Sequence, residues 1–478
     1  MIMLPTTATK NIGLDDKISE KEGHPGLAGR NGNRLKLSER HDRVLMVVEN
    51  ASVPSDPRVW TEAKTLRDQG FEVSIICPKD VSHHQESYTY LDHIHIYRYQ
   101  LPIAAANKFT DYIKEYSVAL MKTFWLSFGV LRRHGFDVIH AANPPDLFFT
   151  LGLFYRLFGK KFVFDQHDLA PELFQAKSHG RGKLLHKALL LLEWCSYKAA
   201  HTVLVTNSSQ GRMAMERGGR SSDSVFVVWN GPDLDRMALV KPEPELKRGR
   251  PHLLAYVGRM SIQDGVDYAL YALHDLVYKR GRQDVSLVLM GCGDCLPQLQ
   301  ALAQELKLDE YVHFTGWVSW NDIGRYLAVA DVGLSPDPQN GSNEYCTMIK
   351  VLEYMAMGKP IVAFDLAETR NTAQGTALYA TPNLAEDFAH KIEILLDNEE
   401  LRLDMGARGR RRIEEELSWE HAREHLLQAY ARLLSRSSES LAALSGAAEQ
   451  PARSSEPLAV LSSLSQTDYE LVTSTIPE

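Results

Sequence analysis

Short, nearly unbroken apolar runs recur along this chain, separated by amphipathic stretches of helical length. RVLMVVEN (43–50), FEVSIICP (71–78), FDVIHAAN (136–143), KKFVFDQHD (160–168) and HTVLVTN (201–207) form one series. LLAYVGRM (253–260), VSLVLMGCGD (285–294), VHFTGWV (312–318), DVGLSP (331–336) and PIVAFD (360–365) form a second. Runs of this kind read as strands buried on both faces. The helix at 55–70 has Ser55 or Asp56 as its cap, Pro57 at its first position and Gly70 as its stop. Further helices are expected at 145–158 and 183–199, then at about 266–280, 294–306, 320–330 and 347–357. The alternation predicts α/β architecture with parallel sheets. KPEPELKRGRPH (241–252), rich in proline and charge, reads as a linker. The expectation is two Rossmann-like domains, 43–240 and 241–417, facing across a deep cleft, with a helix over 418–435. Ligands of such sheets lie beyond the carboxyl ends of the strands. Residues 1–42 and 436–478 lack a periodic apolar face and are expected to be disordered tails.

Composition narrows the function. A chain of 478 residues is too long for one ordinary core. A formal net charge of −8 argues against duplex nucleic acid as a partner, which calls for a concentrated basic face. Five cysteines, an odd number, point to a reducing compartment, and residues 1–42 hold no apolar leader, so a cytoplasmic location is expected. SVALMKTFWLSFGVL (117–131) and LFFTLGLFYRLFG (147–159) fall short of the roughly 18–20 apolar residues of a membrane span. Lys122 and Arg156 also interrupt them, so both read as buried or interfacial helices. The stripe of RGKLLHKALLLLEWCSYKAAH (181–201), apolar with basic residues around it, fits either a core helix or one lying on a membrane face.

Four stretches carry candidate chemistry. In TMIKVLEYMAMG, Thr347 is expected to cap a helix whose free N–H groups and dipole suit an anion such as a diphosphate. Lys350 lies one turn in, and Glu353 follows on the same face as a hydroxyl acceptor; the alternative is an ordinary exposed Lys–Glu pair. In YVGRMSIQDGVD, Gly258 and Arg259 end a strand, where a guanidinium can grip phosphate; the alternative is a solvated loop arginine. In DQHDLAPELF, His167 ends a strand between Asp165 and Asp168, which either orient it or raise its pKa. These three lack metal-ligand spacing, and no metal is expected. GCGDC (291–295) has a Cys-x-x-Cys spacing but no second pair, and reads as a glycine-bearing turn with two incidental thiols.

Placed together, these pieces resemble the family 4 nucleotide-sugar glycosyltransferases of GT-B fold, over roughly 43–433, and most closely the bacterial type that builds surface or extracellular polysaccharides. The resemblance rests on the order of DPRVWTEAKTLRDQGFEV, FDVIHAANPPDLF, FDQHDLAPELF, VTNSSQ with VFVVWNGPD, YVGRMSIQDGVDYAL, HFTGWV and KVLEYMAMGKPIVAFD. It implies a donor-site arginine at Arg259, a diphosphate-binding helix start at Thr347, Met348, Ile349 and Lys350, and a ribose-binding glutamate at Glu353. It also implies a donor-sugar histidine at His167 and a base-contacting loop at Gly316 and Trp317. The second domain would hold the nucleotide, the first the acceptor, and the last helix (418–433) would cross back between them. Three positions depart from the family pattern. Asp264 stands where a lysine is often found, so Lys350 is expected to supply that charge. Tyr345 stands where a glutamate is common, with Glu344 adjacent. ENASVPSDP lacks the glycine-rich turn after the first strand, which leaves the acceptor pocket the least transferable part.

The resemblance implies a retaining transfer of sugar from a nucleotide diphosphate to an acceptor hydroxyl, with neither metal nor other cofactor. The donor would be a nucleotide sugar and the acceptor a saccharide or lipid-linked saccharide, with a possible peripheral contact at the membrane. Two other readings stay open at this level. One is a nucleotide-sugar epimerase of the same fold, the other a non-catalytic subunit of a polysaccharide assembly, motivated by Asp264 and Tyr345.

Overall fold

The structure, a computed structural model, describes residues 42–434 apart from 81–84, 102–108, 179–181 and 235. The two tails expected at 1–42 and 436–478 lie outside the described residues, Asp42 excepted. Two sheets organise the rest. The first contains β1 (Arg43–Val47), β2 (Glu72–Pro78), β3 (Tyr88–Leu91), β4 (Ile94–Tyr99), β5 (Val138–Ala142), β6 (Lys161–Gln166), β7 (Thr202–Val205) and β8 (Val225–Val227), in the order β3-β4-β2-β1-β5-β6-β7-β8. Only the β3–β4 pair is antiparallel. The second contains β9 (His252–Val257), β10 (Val285–Met290), β11 (Val312–Gly316), β12 (Val332–Ser335), β13 (Ile361–Phe364) and β14 (Ala377–Ala380), in the order β11-β10-β9-β12-β13-β14, all parallel.

Helices cover both faces of the first sheet. One face buries Val44, Met46, Val73 and Ile75 under α1 (Pro57–Asp68) and α14 (Trp419–Leu433). The other buries Leu45, Val47, Ile139 and Phe164 under α2 (Phe109–Arg133), α3 (Phe149–Arg156), α5 (Lys183–Ala199) and α6 (Ser208–Glu216), with α4 (Ala170–Ser178) beside α5. Alternate residues of β1 thus enter opposite cores, which is why Val44 to Val47 include no polar position. Asp56 caps α1 by accepting the Val59 N–H at 3.0 Å, as the Asp-Pro pair implies.

The second sheet is wrapped by α7 (Val266–His274), α8 (Leu296–Glu305), α9 (Trp320–Val329), α10 (Ile349–Ala356), α11 (Ala367–Ala373), α12 (Ala385–Asp397) and α13 (Glu399–Arg412). Their core runs from Met237 to Ile413 and is distinct from the two cores of the first sheet. The last helix leaves this second body. In α14, Trp419, Ala422, Leu426 and Tyr430 pack on the first sheet, and the Trp419 indole donates to Thr65 Oγ1 of α1 at 3.1 Å. Among the described residues, no helix is long and apolar enough to cross a membrane.

Candidate active site

The carboxyl edge of the second sheet is built by glycines. Gly258 (φ +144°) ends β9 and Gly291 (φ +133°) ends β10; a Cβ on Gly291 would stand 1.9 Å from the Gly258 carbonyl oxygen. Only glycine permits that approach. Backbone bonds knit the turns together: Gly258 N–H to Met290 O, Met260 N–H to Cys292 O, and Gly291 N–H to Gly316 O, at 2.9 to 3.1 Å. GCGDC is therefore a glycine-bearing turn with two free thiols, and it is also the seat of the Arg259 loop, a role its spacing did not announce. Arg259 is exposed, and its side chain makes no hydrogen bond or ion pair among the described residues. Gly316 (φ +68°) leads to Trp317, whose ring is 76% exposed.

The helix expected to open at Thr347 opens two residues later. Met348 is the N-cap of α10, no side chain caps its first turn, and Ile349 is exposed at its first position. Thr347 is drawn away because its hydroxyl accepts the Asn207 side-chain N–H at 3.1 Å. Lys350 and Glu353 are not an exposed surface pair, since both are buried. Lys350 Nζ lies 2.5 Å from Asp337 Oδ1 and 5.4 Å from the centre of the Tyr256 ring. Burial depresses its pKa, but Asp337 and then Asp264 outweigh that, and the ammonium is held above its ordinary range. Its charge is thus turned toward protein carboxylates, and Arg259 remains the exposed cation of the site. Asp264 accepts the Ser261 N–H at 3.0 Å in a reciprocal cap of a short turn. Glu353 has no hydrogen bond to its carboxylate among the described residues, and burial, opposed only by Lys350, pushes its pKa up to about 7.

On the first sheet, His167 follows β6. Its Nε2 lies 2.5 Å from Asp165 Oδ2 and 3.0 Å from Arg58 Nε. Burial lowers the imidazole pKa, yet attraction and hydrogen bonding from Asp165 carry it above the ordinary value. Of the two flanking aspartates, Asp165 is the one in contact. Burial would raise Asp165, but Arg58 and then His167 hold it well below the usual carboxylate range. Arg58 spans the floor of this edge, with Nη2 at 2.8 Å from Asp165 and 3.1 Å from Glu62, and Nη1 donating to Val228 O and Asn230 Oδ1. Glu62, His140 and Asp165 lie close enough together to hold a cation. The guanidinium of Arg58 already brings a positive charge to two of those three residues. Arg58 was overlooked in the sequence because all its partners but Glu62 are more than a hundred residues away; the available signal was a basic residue on the buried face of α1 with Glu62 one turn on.

Side chains tie the two edges together. Asn207 caps α6 with Oδ1, accepting the Gln210 N–H, while its Nδ2 donates to Tyr345 O at 2.9 Å and to Thr347. Gln210 Nε2 donates to His167 O at 3.2 Å. The backbone carrying His167 is therefore linked through the first turn of α6 to the entrance of α10. Ser209 Oγ also donates to Glu368 of α11. Glu344, out of register in the sequence, accepts from Gln339 Nε2 at 2.6 Å and from the Ala367 N–H at the start of α11 at 3.2 Å.

Comparison with known proteins agrees with this architecture. The family described as Glycosyltransferase Family 4 matches residues 58–236, and that described as Glycosyl transferases group 1 matches 251–398. Alpha-D-kanosaminyltransferase of Streptomyces kanamyceticus is 31% identical over 155 residues, 32% of this chain and 38% of that protein's length. Among solved structures, sucrose-phosphate synthase from Thermosynechococcus elongatus superposes with a TM-score of 0.68 at 18% identity, covering 83% of this chain and 100% of that one. Anabaena HepE in complex with UDP and glucose gives 0.60 at 15% identity, with the same two coverages. The chain belongs to the family 4 glycosyltransferases and has their two-domain GT-B fold.

Proposed function

We propose that this chain transfers a sugar from a nucleoside-diphosphate donor to a hydroxyl of a saccharide or lipid-linked saccharide, retaining anomeric configuration and using no metal. One observation carries the reading: a buried carboxyl with no hydrogen bond among the described residues (Glu353) stands one turn inside a helix with an uncapped start, at the same sheet edge as an exposed guanidinium with no ion pair among the described residues (Arg259). That combination suits a ribose hydroxyl pair joined to a diphosphate. The UDP and glucose held by the HepE structure support the same donor class.

In this mechanism Arg259 and the first N–H groups of α10 stabilise the departing diphosphate as fixed charge in a water-poor site. Lys350 contributes from behind, its charge shared with Asp337. Trp317 offers a face for the base. His167, oriented by Asp165, holds a sugar hydroxyl, and a phosphate oxygen of the leaving group takes the acceptor proton. A thermal-shift screen with UDP-, GDP-, ADP- and dTDP-linked sugars, followed by NMR of the product's anomeric centre, tests the reading. Stabilisation by one donor class and a retained anomer are expected; an inverted product, or no response to any donor, would overturn it.

We further propose work at the cytoplasmic membrane face, in polysaccharide synthesis. Helices α2 and α5 and the turn that ends α3 expose Trp125, Leu157, Phe158, Leu184 and Trp194, with Lys122, Arg156, Lys187 and Lys198 on the same elements. Apolar rings with basic neighbours suit an anionic lipid surface. Flotation with vesicles containing phosphatidylglycerol tests this, and failure to co-migrate would dismiss it.

A further inference from the structure

The helix that closes the first sheet carries a hydroxyl that the chemistry above does not use. The face of α14 turned to that sheet buries Ala422, Leu426, Ala429 and Leu433 together with Tyr430. The Tyr430 ring meets Phe71 edge-on, centroids 5.5 Å apart, a contact that phenylalanine would make equally well. A buried phenol needs a partner, and this one has it on β5: the hydroxyl lies 2.9 Å from His140 Nδ1. The other ring nitrogen of His140 faces the His167 site. Nε2 lies 3.4 Å from Asp165 Oδ2 and 3.5 Å from Glu62 Oε2. The same Asp165 oxygen stands 2.5 Å from His167 Nε2 and 3.3 Å from Arg58 Nε.

One carboxylate oxygen thus serves three nitrogens, from β5, β6 and α1. Both carboxyl contacts of His140 are long and do not by themselves fix its ring; the Tyr430 hydroxyl is its short contact among the described residues. Burial, then the charges of Glu62 and Asp165, hold the phenol well above its ordinary pKa, so it keeps its hydrogen. Nε2 faces two carboxyls and is the nitrogen suited to carry a hydrogen, which leaves Nδ1 to the phenol. In histidine the bond at one nitrogen sets the tautomer and orientation at the other. The effect reaches Asp165: burial would raise its pKa, and Arg58, His167 and then His140 hold it down. Bonds in such a buried network polarise one another, so what fixes one partner of the oxygen is felt by the rest.

We propose that Tyr430 is a positioning residue of the transfer site: its hydroxyl fixes the His140 ring against Asp165 and, through that carboxylate, orients His167. The last helix then does more than cover apolar surface, because it reaches a group held to touch the donor sugar. The proposal rests on the reading of His167 as the holder of a sugar hydroxyl, but the relay itself is testable without any donor.

The test uses the full-length protein with ¹⁵N-labelled histidine rings, the His167 signals being identified by their loss in His167→Gln. Tyr430→Phe removes one oxygen and keeps the ring, so the fold is expected to persist. It should move the His167 ring signals, and in calorimetry it should weaken UDP-glucose roughly three- to tenfold, the scale of one hydrogen bond, while UDP binds as before. His140→Gln keeps a polar side chain between the carboxyls but breaks the relay; in that background Tyr430→Phe should add nothing to either readout. His167 signals that stay in place in Tyr430→Phe, or that move equally with and without His140, would overturn the proposal. A lowered melting temperature with those signals unmoved would make Tyr430 merely structural and overturn it too. Failure of the wild-type protein to bind UDP or UDP-glucose would instead count against a UDP-sugar donor, and the His167 signals would then decide the relay alone.

Discussion

Replacing Glu353 by glutamine should make the protein more stable and less active, and the stability gain should depend on pH in a defined direction. The carboxyl is 7% exposed, has no hydrogen-bond partner among the described residues, and has its pKa raised from 4.5 to about 7. A raised carboxyl pKa means the folded state binds the proton more tightly than the unfolded one. Its contribution is fully present below about pH 4.5 and is lost as pH rises through 7. At about 1.4 kcal/mol per pH unit, the interval is worth roughly 3 kcal/mol to the second domain. Glutamine cannot ionise, so the variant escapes the loss: near-equal unfolding temperatures at pH 4.5, and a variant higher by several degrees at pH 8. The same change removes a charged acceptor for ribose hydroxyls. A hydrogen bond to a charged group is worth about 1.5–3 kcal/mol, so the donor KM should rise roughly ten- to a hundredfold. Differential scanning fluorimetry across pH 4.5–8.5, paired with initial rates against donor concentration, checks both. A temperature difference that is flat with pH would refute the electrostatic argument, and an unchanged donor KM would refute the ribose assignment.

Three further outcomes follow from particular contacts. Arg259→Ala should lower kcat/KM by about a hundredfold or more with no change in melting temperature, because the side chain is exposed and makes no ion pair among the described residues; a stability loss of equal weight would make it structural. Lys350→Met leaves Asp337 buried without its cation and should destabilise by about 3–5 kcal/mol, with Asp337→Asn in the same chain restoring most of it; additive effects by thermal unfolding would deny the coupling. Asn207→Asp keeps an acceptor to cap α6 but loses the two N–H bonds to Tyr345 and Thr347, so the fold should persist while the donor KM rises; a normal KM would mean that this link does not order the α10 entrance.

β1, β2, β5, β6, β7 and β9 to β13 were legible because nearly all of them are buried on both faces and so are apolar at nearly every position, whereas the half-exposed β8, three residues long, went unread. Nor was the β3–β4 hairpin, YTYLDHIHIYRY, legible. Its turn uses Asp92 (φ 49°) and His93 (φ 61°), both left-handed without glycine, so the usual Asn-Gly or Asp-Gly mark is missing. β14 has only four residues, and α13 carries two glycines and a run of arginines that blur its apolar face. At the site, the local motifs located Arg259, Lys350, Glu353 and His167. What they could not disclose was where each charge is spent. Asp337 lies 13 residues before Lys350, Asp165 meets Arg58 across 107, and Asn207 reaches Thr347 across 140. The Thr347 cap failed for that reason: a helix-start rule counts neighbours in sequence, and the competing donor arrives from the other sheet.

The placement of α14 has a consequence for synthesis. One face of the first sheet, with Val44, Met46, Val73 and Ile75 on it, is closed partly by α1 and partly by residues 419–433, the last helix of the described chain. While the ribosome is still making the second domain, that face stands open to water and to other nascent chains. The first of the two domains to be translated is therefore the one finished last, and a message truncated after residue 398, where the second family match ends, would yield both sheets with that face of the first still open.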